Sequence, residues 1–181
     1  MSVMRALIAI LCLTACAAST TERLQTLYRE SLEPLDTGWS AEQVARHEEL
    51  RDERITETLD LHAAGSVRGS DDQLYAAAIL AESQRAEDLE LACELALSAA
   101  EAGDERGLRL AAEAIDRRCM VLGEAQRFGT QYVFSPITER WDLYPWDPIT
   151  TDTERAAMGV APLAQALARL EELNPTTTSS P

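Results

Sequence analysis

The sequence predicts a mainly α-helical fold of stacked hairpins, with one small β-hairpin late in the chain. Three observations carry that prediction. Helix-start signatures recur at Ser19–Glu22, Ser40–Gln43, Ser70–Gln73 and Thr151–Glu154. Each sets a hydroxyl three residues before Glu or Gln, so that the two side chains satisfy each other's free backbone donors. Apolar positions behind these signatures return at three- and four-residue steps, which line one helix face. After Gly123 that spacing stops, and the β-prone aromatic segments TQYVF and RWDLYPW take its place.

Leu24, Leu27, Tyr28 and Leu32 follow the first signature, and Pro34 and Gly38 end that helix. The second opens a long charged helix to about residue 64, with Val44, Leu50, Ile55, Leu59 and Leu61 as its apolar stripe and Gly65 and Gly69 as its stop. The third opens the run LYAAAILA. From about residue 86 to 102, Leu89, Leu91, Ala92, Cys93, Leu95, Ala96, Leu97, Ala99 and Ala100 cover most of a helix, leaving Glu90, Glu94, Ser98 and Glu101 as a polar stripe. A helix apolar nearly all round is expected to be buried nearly all round, so this one is placed at the centre.

Gly103-Asp104 turns the chain into a helix ending at Leu122, with Leu108, Ala111, Ala112, Ile115, Cys119 and Leu122 on one face. These two Ala-rich helices resemble tetratricopeptide and Sel1-like hairpins. The period does not recur three times, so the expectation is a helical stack and not a repeat array. Residues 130–134 and 140–144 are expected to pair as a hairpin across Ser135-Pro136. A short helix behind Thr151 stops at Gly159, and Pro162 opens a last one, PLAQALARLEEL, which Asn174-Pro175 ends.

The chain begins MSVMRALIAILCLTAC: one arginine, an apolar run too short to span a bilayer, and a small-residue ending. That is the form of an export signal. Leu13-Thr14-Ala15-Cys16 resembles the lipobox of bacterial lipoproteins. The resemblance implies a signal peptide over residues 1–15, a mature N-terminus at a lipidated Cys16, and an envelope location, with the periplasmic side of the outer membrane favoured. The expected organisation is then one helical domain over 16–174 and a polar tail over 175–181.

Charge narrows the partners. The chain has 16 Lys+Arg against 31 Asp+Glu; loss of Arg5 with the signal leaves 15 against 31, or −16. Nucleic acid is disfavoured, because its phosphates need neutralising, and so are anionic headgroups. A basic protein or peptide is compatible, and so is an acidic surface that serves only solubility. With Cys12 removed and Cys16 lipidated, Cys93 and Cys119 remain as an even pair in an exported protein. They come level, and within disulfide reach, if the turn between their helices extends to Gly107.

The segment from Leu122 to Phe134, LGEAQRFGTQYVF, concentrates the polar chemistry. Asp116-Arg117, Gly123, Gln126 and Gly129-Thr130-Gln131, followed by Trp141-Asp142-Leu143-Tyr144-Pro145 and by Asp152 through Ala164, resemble the motifs of a bacterial family of unknown function. Such members usually carry tyrosine where Phe128 stands and a glutamine-histidine pair where Glu82-Ser83 stands. The resemblance spans roughly residues 46–174 and implies no reaction.

Two accounts of the segment are open. In one, Asp116, Arg117, Gln126, Arg127, Thr130, Gln131, Tyr132 and Trp141 form a polar pocket that reads a peptide or sugar. In the other, the glycines turn the chain and the amides satisfy backbone groups where helix gives way to hairpin. His47 and His62 lie some 22 Å apart on one helix, too far to share a metal. No nucleophile elbow, phosphate loop or calcium loop occurs, and no cofactor is implied. The favoured function is a lipid-anchored, non-enzymatic binding or accessory module. The alternatives are an envelope hydrolase using acidic residues near Gly129-Thr130-Gln131, and an acidic inhibitor or immunity-type protein for a basic partner.

Overall fold

A computed structural model describes residues 20–32 and 40–174. The export segment, Cys16, the signature at Ser19, the helix stop at Pro34 and Gly38, and the polar tail all lie outside the described residues. Seven helices and one hairpin follow in order: α1 over residues 20–31, α2 (Ala41–Ala63), α3 (Gly69–Leu80), α4 (Ala86–Glu101), α5 (Arg106–Leu122), β1 (Tyr132–Ser135), β2 (Arg140–Leu143), α6 (Asp152–Ala157) and α7 (Leu163–Leu173). The fold is mainly helical with a small late antiparallel hairpin, as the sequence predicts.

The capping signatures divide. Ser40 with Gln43 and Thr151 with Glu154 form complete reciprocal boxes. Ser70 does not cap: α3 starts one turn-residue earlier, at Gly69, and the buried Asp72 takes over by accepting from the Arg68 backbone N–H at 2.9 Å and from the Thr21 hydroxyl of α1. One carboxylate thereby caps α3 and ties α1 to it. Asp88 plays a related part in α4, accepting from the Ser83 hydroxyl at 2.7 Å.

α4 packs along both α3 and α5 and is the centre of the stack. Its buried face is Leu89, Ala92, Leu95, Ala96 and Ala99; Leu91 and Cys93 are half-buried and Leu97 is exposed. The expectation of burial nearly all round is therefore corrected, because none of the described helices covers the outer side of α4. Small residues set the closeness of the α4–α5 pair. A Cβ added at Gly107 would collide with the Ala96 carbonyl oxygen and stand 2.9 Å from the Ala100 nitrogen. The core joins Leu24 and Leu27 of α1, Ile55 of α2, Ala76, Ala77, Ile79 and Leu80 of α3, and Ala111 and Ala114 of α5.

On α2 the buried residues are Arg54, Ile55 and Thr58, not the full stripe expected from Val44 to Leu61. Val44 is exposed and Leu50 only half-buried. None of the described helices is long and apolar enough to cross a membrane.

The hairpin pairs Tyr132 with Leu143 and Phe134 with Trp141. α7 packs on β2, and Asn174 secures it there. The Asn174 amide accepts from the Trp141 N–H and donates to the Trp141 carbonyl, both at 2.8 Å. Side-chain amide and strand edge thus pair as two strands would.

Candidate functional site

α5 ends at Gly123, whose left-handed backbone (φ 73°) lets the Glu124 N–H close on the Cys119 carbonyl at 2.8 Å. The chain then runs back along the last two turns of α5 with no strand or helix to satisfy its amides. Buried backbone donors must find acceptors, and here side chains supply them. The fully buried Asp116 accepts from the Arg127 and Phe128 N–H groups at 2.7 and 2.8 Å on one oxygen. Its other oxygen accepts from the Thr130 N–H at 2.9 Å and the Thr130 hydroxyl at 2.8 Å. Both oxygens are filled.

Gln126 works in the same way one step further on, also fully buried. Its amide nitrogen donates to the carbonyls of Gln131 at 3.0 Å and Tyr144 at 2.8 Å, and its amide oxygen accepts from the Gln131 N–H at 2.8 Å. Its backbone bridges to the strand-like segment at Pro145 and Asp147. Gln131 donates to the Glu113 carbonyl at 3.3 Å and the Thr130 hydroxyl at 3.1 Å. From the far side Arg155 donates to the Phe128 carbonyl at 3.1 Å, the Thr150 carbonyl at 2.7 Å and Asp152 at 3.2 Å, and Asp152 in turn caps α7 at Leu163.

The structure therefore brings Asp116, Gln126, Thr130 and Gln131 together, but as a brace for the loop. The remaining pocket candidates go elsewhere. Successive helix residues point about 100° apart, so Arg117 leaves the loop and reaches the α3–α4 junction, where it donates to the carbonyls of Ser83 at 3.3 Å and Glu82 at 3.5 Å. Asp116 and Arg117, adjacent in sequence, do not pair with each other. Arg127 lies on the surface over the Phe128 ring and pairs with Glu154 at 3.7 Å. Trp141 packs its ring on Phe134, outside the brace. Of the two accounts, the geometry favours the loop brace: Asp116, Gln126, Thr130 and Gln131 meet there, while Arg117, Arg127 and Trp141 lie apart from them.

Two clefts adjoin instead. One, of about 260 Å³, is lined by Leu74, Ala78 and Leu110, by the tilted pair of rings of Tyr28 and Tyr75, centroids 5.5 Å apart, and by Arg106 and Glu113. The other, of about 200 Å³, is lined by Gly129, Thr130, Tyr132, Val160, Gln165 and Ala166. Arg109 lines both, so the two clefts adjoin at that side chain as a groove in two parts. The Tyr132 hydroxyl donates to the Ala166 carbonyl at 3.0 Å, and burial raises its pKa above the ordinary value.

Charge is distributed unevenly around the stack. On the exposed face of α2, Glu49, Asp52, Glu53 and Glu57 line a shallow depression, but each has a counter-ion in Arg46, Arg51 or Arg23. On the other side of the same helix, a cleft of about 310 Å³ carries Arg51 and Arg117. There burial, and then the neighbouring Arg51, lower the pKa of Arg117, against the pull of Glu82. Sequence reading missed this cleft, along with Arg54 and Arg155. The signal for it was the step from His47 through Arg51 and Arg54 to Thr58, which keeps to one side of α2.

Cys93 and Cys119 are free thiols, both half-buried. The expected bridge fails on register. Gly107 packs against the span from Ala96 to Ala100, which puts Cys93 about level with Ala112 and leaves Cys119 roughly 10 Å further along α5. Burial raises both thiol pKa values, so neither is primed as a nucleophile. His47 and His62 sit on the same unbroken helix. Among the described residues no three His, Cys, Asp or Glu side chains are placed to hold a metal ion. No family model, curated protein or solved structure matches the chain.

Proposed function

We propose that this is a lipid-anchored protein of a bacterial envelope that binds an extended, apolar stretch of peptide along the groove of α1, α3 and α5. Anchoring rests on Leu13 to Cys16 alone. A thioether-linked diacylglycerol on Cys16 adds about 0.8 kcal/mol of membrane affinity for each buried methylene. The binding half rests on one observation: Leu74, Ala78 and Leu110 and the paired rings of Tyr28 and Tyr75 give the groove an apolar lining, with Arg106, Arg109 and Glu113 as its few charged groups. Concave apolar surfaces with a few convergent polar groups are where ligands bind. Two joined clefts give the groove a length that suits an extended chain better than a compact molecule. A hydrolase centred on the loop has less support, because the one carboxylate buried there, Asp116, is filled on both oxygens.

Methyl-labelled protein titrated with a panel of unstructured apolar peptides tests the binding half. Resonances of Leu74 and Leu110 should move, while Leu143, buried elsewhere, should not. A panel that moves neither groove leucine sinks the reading. For the anchor, Cys16→Ala should shift the protein from the membrane to the soluble fraction and abolish incorporation of labelled palmitate.

A further inference from the structure

Beyond the groove, α2 and α5 enclose a second cleft that shares none of the groove's residues. Its wall sets Arg51 and Arg117 beside His47, Glu48 and Glu82. Arg117 is largely buried, yet its contacts are two long hydrogen bonds to carbonyls, and it forms no ion pair among the described residues. Arg51, near enough to disfavour the charge on Arg117, is engaged by the exposed Asp52 of its own helix at 3.0 and 3.1 Å. Behind them Arg54 is only 6% exposed. Its pairing with Glu82 is long at 3.6 Å, and its Nε and Nη2 have no hydrogen-bond partner.

Of the three guanidinium groups, Arg51 is paired with Asp52 and Arg54 at long range with Glu82, which leaves Arg117 as the one without a counter-ion among the described residues. Charges taken out of water need a partner, and donors left unmatched at a cleft are matched by whatever enters it. The entrant must be an anion. Glu82 and Glu48 remain in the cleft wall, so a dianion meets repulsion that a monoanion largely escapes. A guanidinium offers parallel N–H donors at the spacing of carboxylate oxygens.

We infer that the cleft between α2 and α5 is a recognition site for a carboxylate group, held by Arg117 and Arg51, with Arg54 as a positioning residue that draws Glu82 aside. The carboxylate belongs to a small organic acid or to the C-terminus of a peptide; the chemistry at the arginines is the same for both.

The test uses the purified protein with propionate, a trialanine peptide with a free C-terminus, the same peptide amidated, inorganic phosphate, and chloride at matched ionic strength. Propionate and free trialanine should raise Tm above the chloride control and move the Nε–H resonances of Arg51 and Arg117. Free trialanine acting at much lower concentration than propionate identifies a peptide C-terminus; equal potency identifies a small acid. Arg117→Gln should weaken binding at least tenfold, or about 1.4 kcal/mol, and Arg117→Lys should recover only part, since it lacks the fork. If either variant fails to fold, the wild-type resonances still decide. The site is refuted if no carboxylate exceeds chloride, if amidated trialanine matches the free acid, or if phosphate matches or exceeds propionate. Because the reporters are arginines of this cleft and not Leu74 and Leu110, its failure is distinct from failure of the groove.

Discussion

From α3 to α5 the packed side chains are mostly alanine and leucine, whereas the chain after Gly123 is held by buried polar anchors, Asp116 from α5 together with Gln126 and Arg155. The difference follows from what the backbone can do for itself. In α3, α4 and α5 every interior amide is satisfied within its own helix, so side chains need only fill space, and small ones bring the helices close. The segment from Gly123 to Gln131 has no such ladder. Apart from a few backbone bonds at Glu124, Gln126 and Gln131, its amides and carbonyls are satisfied one at a time, by the side chains of Asp116, Gln126 and Arg155. Polar residues crowded between glycines can therefore mark a substitute for secondary structure as readily as an active site.

That contrast can be broken from either side. The largest effect should come from Asp116→Ala, which strips the acceptor from three backbone amides and a hydroxyl. Charged hydrogen bonds contribute some 1.5–3 kcal/mol each and water recovers part, so a loss of about 3–5 kcal/mol is expected in chemical denaturation. The α3–α5 helices should still form, with amide exchange accelerated chiefly over residues 126–131. Uniform acceleration across α4 would mean that the two regions are one cooperative unit.

Gly107→Ala attacks the other side. Its methyl meets the backbone of α4 and not a flexible side chain, so it should cost roughly 1–3 kcal/mol as overpacking. An unchanged or higher Tm would show that α4 and α5 are free to slide apart. A finer comparison lies within the loop. Gln126→Ala should cost about 1–3 kcal/mol, the penalty of orphaning buried carbonyls. Gln131→Ala should cost less, because its bond to the Glu113 carbonyl is long and the side chain is only half-buried. The reverse order would undo the assignment of Gln126 as the principal brace.

The smallest effect concerns α1 and α2. The hydrogen bond from Arg23, against the opposing effect of burial, holds Glu57 below the usual carboxylate range. A depressed folded pKa stabilises the fold above the unfolded value of about 4.3 and loses that contribution as pH falls through the folded value. The stability gap between wild type and Arg23→Gln should thus narrow on acidification below pH ~4.3. Both partners are exposed, so the gap should be slight and should close in high salt; a gap that widens in acid would reverse the assignment.

Much of this was legible in the sequence, and what was not has physical causes. Helix periodicity and glycine stops located α2 to α5, and Gly123 ends α5 in the left-handed conformation expected of it. The hairpin falls where the aromatic segments place it, shortened at its open end because the Gln126 amide inserts between Gln131 and Tyr144, and longer by Ser135 at the turn. The residues of the candidate pocket were individually visible, but their directions were not. Asp116 and Arg117 are neighbours in sequence and face opposite tasks, which only the packing of α5 decides. Arg54 escaped because arginine counts as surface in a hydropathy pattern, although its stem packs like an apolar side chain.

One small contact reaches further than its size. The hairpin has only two strands, so its outer edge offers backbone groups that any passing strand could continue. Beside that edge lie Phe134, Trp141 and an Ile137 that is 93% exposed, a combination that invites strand addition and fibre growth. Asn174 occupies both outward groups of Trp141. The last described residue thereby closes off an edge that would otherwise template self-assembly.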